Sequence, residues 1–206
     1  PLFGSNWTEN FPKDGPGLVE KTEAVRAIMR KYNISKPVII TEAGWHNNAT
    51  LPHGDDTLQV RYVQKLYTQA KAAGIPMMAW WPFSDIGGAY GLNSGLVSQA
   101  AAGQATIKPA YYAYGVFARE LSGATYVAEI EAAADVKVYK FRDEAKGRTI
   151  YVAWTNPTDL ATAFGTSSVP YKDTTRSTNV TLTGTSAVAY DAFWTKVAEV
   201  TDGSDG

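Results

Sequence analysis

The sequence predicts an α/β chain with an antiparallel β tail, on three observations. Two apolar runs of strand length, residues 38–42 and 75–81, are separated by one amphipathic stretch of helical length. A helix joining two apolar strands through short connections is a βαβ unit, whose strands run parallel. Beyond Gly123 the helical spacing gives way to short β-rich runs divided by turn residues, which reads as a small antiparallel β-sandwich domain beside the α/β part. Residues 1–121 and 122–206 are therefore expected to be separate domains.

Each element has its own signal. Residues 18–32 carry Leu18, Val19, Val25, Ile28, Met29 and Tyr32 at helical spacing with charges between them, the pattern of an amphipathic helix. Residues 33–36 form the turn, and residues 38–42 a strand whose apolar start predicts burial on both faces, as in parallel sheets under helices. A polar loop over 45–56 offers Asp55 or Asp56 as the cap of a helix over 57–73. Val60, Val63, Leu66, Tyr67 and Ala70 lie on one face of it, and Gly74 ends it. The second strand covers 75–81, a Gly-rich loop 82–95, and a third helix 109–121, stopped at Ser122-Gly123. In the tail, residues 136–141 and 149–154 make a hairpin around 143–147, with further strands at 179–182, 187–190 and 195–200. The Thr- and Ser-rich stretch 166–181 is a loop.

Composition narrows the function. The chain has 206 residues, 45% hydrophobic and 12% aromatic, enough for a packed core. A net charge of -1 with dispersed charges leaves no basic stripe for nucleic acid and no polybasic or amphipathic membrane segment. It suits a neutral polyhydroxyl ligand. Cysteine is absent, which excludes disulfides and thiolate metal sites, and the two histidines, His46 and His53, leave little for an imidazole site. No cofactor or metal is expected. Both ends of the sequence resemble cuts in a longer protein: Pro1-Leu-Phe-Gly opens it, and Thr201-Asp-Gly-Ser-Asp-Gly closes it in a turn-like run.

The chemistry centres on Glu42, where an apolar strand leaves the core. Carboxyl ends of parallel strands hold ligands and catalytic groups, because the loops vary there while the sheet holds side chains rigidly. A Glu at a strand end also caps helices or faces water, but here the neighbouring strand ends in Trp80-Trp81-Pro82-Phe83-Ser84-Asp85. A carboxylate and a pair of indoles thus reach one rim, and an indole face stacks on the C–H face of a sugar. Adjacent residues of a strand point to opposite faces, so one of the two indoles faces the site; Trp81 is the one expected there, with Trp80 packed under a helix. Trp45 and His46 line the same cleft or belong to loop packing and solvent. Asp85 hydrogen-bonds a sugar hydroxyl or caps the loop, where Gly87-Gly88 suits a turn. Trp7 and Glu9 lie near the same rim if their segment follows a further strand.

Thr41-Glu42-Ala43-Gly44-Trp45 after Lys36-Pro-Val-Ile-Ile resembles the nucleophile strand of clan A retaining glycoside hydrolases, which are built on a TIM-type (β/α)8 barrel. The segment from Trp80 to Asp85 with Tyr90-Gly91-Leu92 resembles the eighth strand of family 39 and family 5 enzymes, and Lys108-Pro-Ala-Tyr-Tyr-Ala-Tyr114 the start of their last barrel helix. The tail is similar to their accessory sandwich. The resemblance implies that the chain is a fragment: the last two βα units of such a barrel, then the sandwich lacking its last strand. It also implies Glu42 as nucleophile, Trp81 as the floor beneath the sugar, and an oligosaccharide, polysaccharide or glycoside as substrate. These enzymes take their acid/base from an Asn-Glu pair after the fourth strand, and no Asn-Glu dipeptide occurs here. The missing strands would come from the rest of the protein or another chain.

Two other readings compete. A non-catalytic carbohydrate-binding or assembly protein would use the same indoles, with Glu42 only hydrogen-bonding the glycan. An enzyme of another class on a parallel sheet has less support, for there is no Gly-x-Gly-x-x-Gly, phosphate-binding loop or Gly-x-Ser-x-Gly elbow. Sequons at Asn6, Asn33, Asn48 and Asn179 would permit N-glycosylation if the chain enters a secretory pathway.

Overall fold

A computed structural model describes residues 18–49, 54–86, 93–99, 104–132, 136–155, 182 and 185–201. Helix α1 (Leu18–Lys31) precedes strand β1 (Ile40–Ala43), and helix α2 (Asp56–Ala72) crosses to β2 (Met78–Trp80). Helix α3 (Pro109–Leu121) follows, then strands β3 (Thr125–Glu129), β4 (Val136–Asp143), β5 (Arg148–Thr155), β6 (Ser186–Tyr190) and β7 (Lys196–Thr201). β1 and β2 pair in parallel, β3-β4-β5 form an antiparallel sheet, and β6-β7 an antiparallel hairpin. The architecture is mixed α/β, parallel first and antiparallel after.

Local chemistry sets the helix ends. Asp55, rather than Asp56, caps α2, its Oδ1 accepting the Leu58 N–H at 2.7 Å. Gly74 closes the helix at φ +63°, a left-handed conformation that costs a side-chain-free residue little. Pro109 opens α3 at a position where its missing N–H is harmless.

The first core lies on one side of the parallel pair. Val60, Val63, Leu66 and Ala70 of α2 and Ala110 and Ala113 of α3 pack with Ile40, Ala43 and Trp80. A second core joins Leu121 and Ala124 to Tyr139 and Phe141 of the antiparallel sheet, with Phe117, Ile150, Val152 and Trp154 against it.

Two expectations are corrected. The parallel strands are not buried on both faces: Ile39 and Met77 are 48% and 50% exposed, and only Ile40 and Ala43 of β1 are buried. Among the described residues the helices pack on one face of this two-stranded sheet, which leaves the other exposed. The apolar stripe of α1 is fully buried only at its first turn, where Leu18 lies, while Met29 is half-buried and Val25, Ile28 and Tyr32 are exposed.

Strand β3 is an element the sequence reading lacked; its alternation is shallow, with only Tyr126 and Ala128 half-buried. All of β7 is exposed, and the β6–β7 turn meets α2, where the Gln64 side chain donates to the Ala192 carbonyl. The strand expected at 179–182 lies outside the described residues except for Leu182, as does the loop at 166–181.

Candidate functional site

Glu42 owes its direction to an irregularity in the ladder. Ile40 pairs with Met78 and Ala43 with Trp80, so Thr41 and Glu42 together face the single residue Ala79. This is a β-bulge, and bulges re-aim side chains. In a regular strand Glu42 would share the face of Ile40, two residues earlier, which is buried. The extra residue instead returns Ala43 to the buried face and leaves Thr41 and Glu42 exposed.

The alternation of the two indoles follows the strand. Trp80 is 8% exposed and Trp81 39%. Trp80 stands edge-on to Tyr62, ring centroids 6.3 Å apart, and its indole N–H donates to the Ser94 carbonyl at 2.8 Å. The Trp81 main-chain N–H donates to the Ala43 carbonyl at 2.8 Å. Since Ala43 and Trp80 point to the packed face, Glu42 and Trp81 share the opposite one. Both are exposed, Glu42 within β1 and Trp81 just beyond the end of β2.

The other candidates are held by packing. Trp45 is buried, tilted against Tyr62 at 4.6 Å between centroids and stacked on His46 at 5.4 Å. Its indole belongs to the core, and half-buried His46 lies at the margin. Burial pushes the Tyr62 phenol, packed between the two indoles, well above its ordinary pKa. Asp85 takes the loop-capping alternative: its Oδ1 accepts the Gly95 N–H and the Lys108 ammonium, each at 2.7 Å. Trp7, Glu9 and His53 lie outside the described residues.

Sequence reasoning missed the polar residues that tie these loops together. The Lys108 Nζ also donates to Asn47 Oδ1 and to the Asn93 carbonyl, each at 2.9 Å. Asn47 Nδ2 donates in turn to Asp56 Oδ1 at 2.6 Å. Gln59, fully buried in α2, donates from Nε2 to the carbonyls of Trp45 at 2.8 Å and Gly95 at 3.2 Å. One signal was available: Gln59 is a polar residue on the stripe that includes Val63 and Leu66. Nothing local marks Lys108 as buried.

Among the described residues no group of His, Cys, Asp and Glu is arranged to hold a metal ion, and no helix is long and apolar enough to cross a membrane.

No family model matches the sequence, and no curated protein matches it either. The fold has a solved counterpart. It is similar to part of a family 39 glycoside hydrolase from the gut symbiont Bacteroides cellulosilyticus WH2, with a TM-score of 0.51 and 24% sequence identity. The match covers 69% of this chain and 30% of that protein, so the chain spans under a third of that protein's length.

Proposed function

We propose that this chain is part of a glycosidase that hydrolyses O-glycosidic bonds with retention, with Glu42 as the nucleophile. The observation that carries the reading is the register shift of β1 against β2, which leaves Glu42 exposed near the carboxyl end of the pair, just beyond which Trp81 is half-exposed. The likeness to part of a family 39 glycoside hydrolase supports the same class. In this reading residues 1–121 are the last two βα units of a (β/α)8 barrel and residues 122–206 its accessory β-sandwich. The substrate is an oligosaccharide, polysaccharide or glycoside.

Retaining hydrolysis needs two carboxyl groups about 5–5.5 Å apart. One attacks the anomeric carbon to form a glycosyl-enzyme ester while the other protonates the departing oxygen; the second then takes a proton from the water that releases the sugar. Glu42 supplies the attacking carboxylate and Trp81 the apolar floor. A second carboxyl group is required, because one cannot be ionised for attack and protonated for departure in the same step; in this reading it comes from a strand outside this chain.

The test is covalent trapping in the protein that carries this chain. A 2-deoxy-2-fluoro glycoside inactivator should add one sugar to Glu42, located by peptide mass mapping, and Glu42→Gln should abolish both labelling and turnover. Sugar binding that survives with Glu42 unlabelled would replace this reading with the non-catalytic, carbohydrate-binding one.

A further inference from the structure

We infer that Lys108 is the positioning residue of the rim, an ammonium clamp that holds the segment following Glu42 against the segment following Trp81. As a deepening of the glycosidase reading it rests on that reading; as a statement about the loops it stands alone. The Lys108 side chain is 7% exposed and that of its ion-pair partner Asp85 10%. An ammonium has three N–H donors, and each finds an acceptor: Asp85 Oδ1 at 2.7 Å, Asn47 Oδ1 at 2.9 Å and the Asn93 carbonyl at 2.9 Å.

These partners come from different parts of the fold. Asn47 follows β1, Asp85 follows β2, Lys108 itself stands at the entry to α3, and Asn47 passes the contact on to Asp56 at the start of α2. Every strand-to-helix junction of the described parallel unit thus contributes a member. The Asp85 carboxylate extends the chain by capping the Gly95 N–H at 2.7 Å, and the Asn47 N–H donates to the Asn93 carbonyl at 3.2 Å. Burying a charge is tolerated only where it is paired and its hydrogen bonds are complete, and here they are.

The tetrahedral spread of three donors is what the site uses. A planar guanidinium presents its donors in a fixed fork and cannot reproduce that arrangement. Lys108→Arg therefore keeps the positive charge but not the clamp. The polar bonds of Lys108 go to Asp85, Asn47 and Asn93 and to neither Glu42 nor Trp81, so its effect on turnover runs through the placing of Glu42 and Trp81. Misplacement by about 1 Å costs roughly a hundredfold in rate.

The experiment compares Lys108→Arg, Lys108→Met and the double variant Lys108→Met/Asp85→Asn in the protein that carries this chain. The double variant leaves no unpaired buried charge, which guards against a variant that fails to fold. Hydrogen exchange should rise together in residues 44–48 and 93–97 in all three and stay unchanged in β3–β5. Turnover of an aryl glycoside should fall by about a hundredfold, in kcat rather than KM. Exchange at the two loops that is unchanged, or Lys108→Arg that matches the parent protein, would overturn the clamp. So would recovery of kcat in the double variant, which would reduce Lys108 to a counter-ion for Asp85. If the parent protein turns over no glycoside, the glycosidase reading fails, while the exchange measurement still decides the clamp.

Discussion

The Trp81 main-chain N–H donates to the Ala43 carbonyl at 2.8 Å, which fixes the exposed indole one step beyond the rung at which Ala43 faces Trp80. Because Ala43 directly follows Glu42, this bond ties the backbone beside the carboxylate to the backbone that carries the indole.

Trp80 carries the complementary task beneath that face. Trp80→Phe keeps most of the ring but removes the donor to the Ser94 carbonyl, leaving a buried acceptor unsatisfied. The expected loss is about 1–3 kcal/mol, read from urea unfolding. A variant as stable as the parent would mean that this bond contributes nothing to holding the 93–97 segment.

Two glycines should respond in opposite directions to the same substitution. A Cβ on Gly95 would lie 2.3 Å from the Asp85 N and 2.7 Å from the Val97 carbonyl oxygen, both backbone atoms that cannot swing aside. Gly95→Ala should lose at least about 1–3 kcal/mol, the usual cost of overpacking. Gly115, in the middle of α3, has nothing within 4 Å of such an atom. Gly115→Ala should gain about 0.5–1 kcal/mol from helix propensity, checked by thermal unfolding of both variants.

Acid should loosen the junction between α3 and the antiparallel sheet. Burial raises the Glu120 carboxyl, but hydrogen bonds from Arg119 and Arg148 outweigh it and hold the pKa below the ordinary value. In Asp143 burial is likewise outweighed, by the Lys146 N–H and ammonium and by Arg148. Groups whose folded pKa is depressed stabilise fully above their unfolded value, near about 4, and lose that contribution as pH falls through the folded value. The melting temperature should therefore fall as pH drops below about 4, and Arg148→Met should shrink that fall. Equal pH profiles for the two proteins would refute the assignment.

The bare face of the parallel pair predicts self-association. Ile39 is 48% exposed and Met77 50%, and among the described residues the parallel sheet has two strands, whose edges invite a further strand. Sedimentation of the 206-residue chain should show concentration-dependent association, and Ile39→Lys should shift it toward monomer. A chain that stays monomeric at every concentration would contradict this.

The sequence by itself determined what depends on near neighbours. The spacing of Val60, Val63, Leu66 and Ala70 sets the buried face of α2, and Gly74 its end; the sequence narrowed the cap to Asp55 or Asp56, and the structure chose Asp55. The turn residues around Gly147 set the β4–β5 hairpin, and strand alternation separates Trp80 from Trp81. Only the tertiary structure decided which polar groups are spoken for. Asp85 meets Lys108 across 23 residues and Asn47 meets it across 61, and no local pattern records such a meeting. The bulge that frees Glu42 is likewise a property of two strands, since an extra residue exists only relative to a partner's register. Burial of Ile39 and Met77 depends in the same way on what covers them, because hydrophobicity supplies a tendency to be buried while neighbouring layers supply the place.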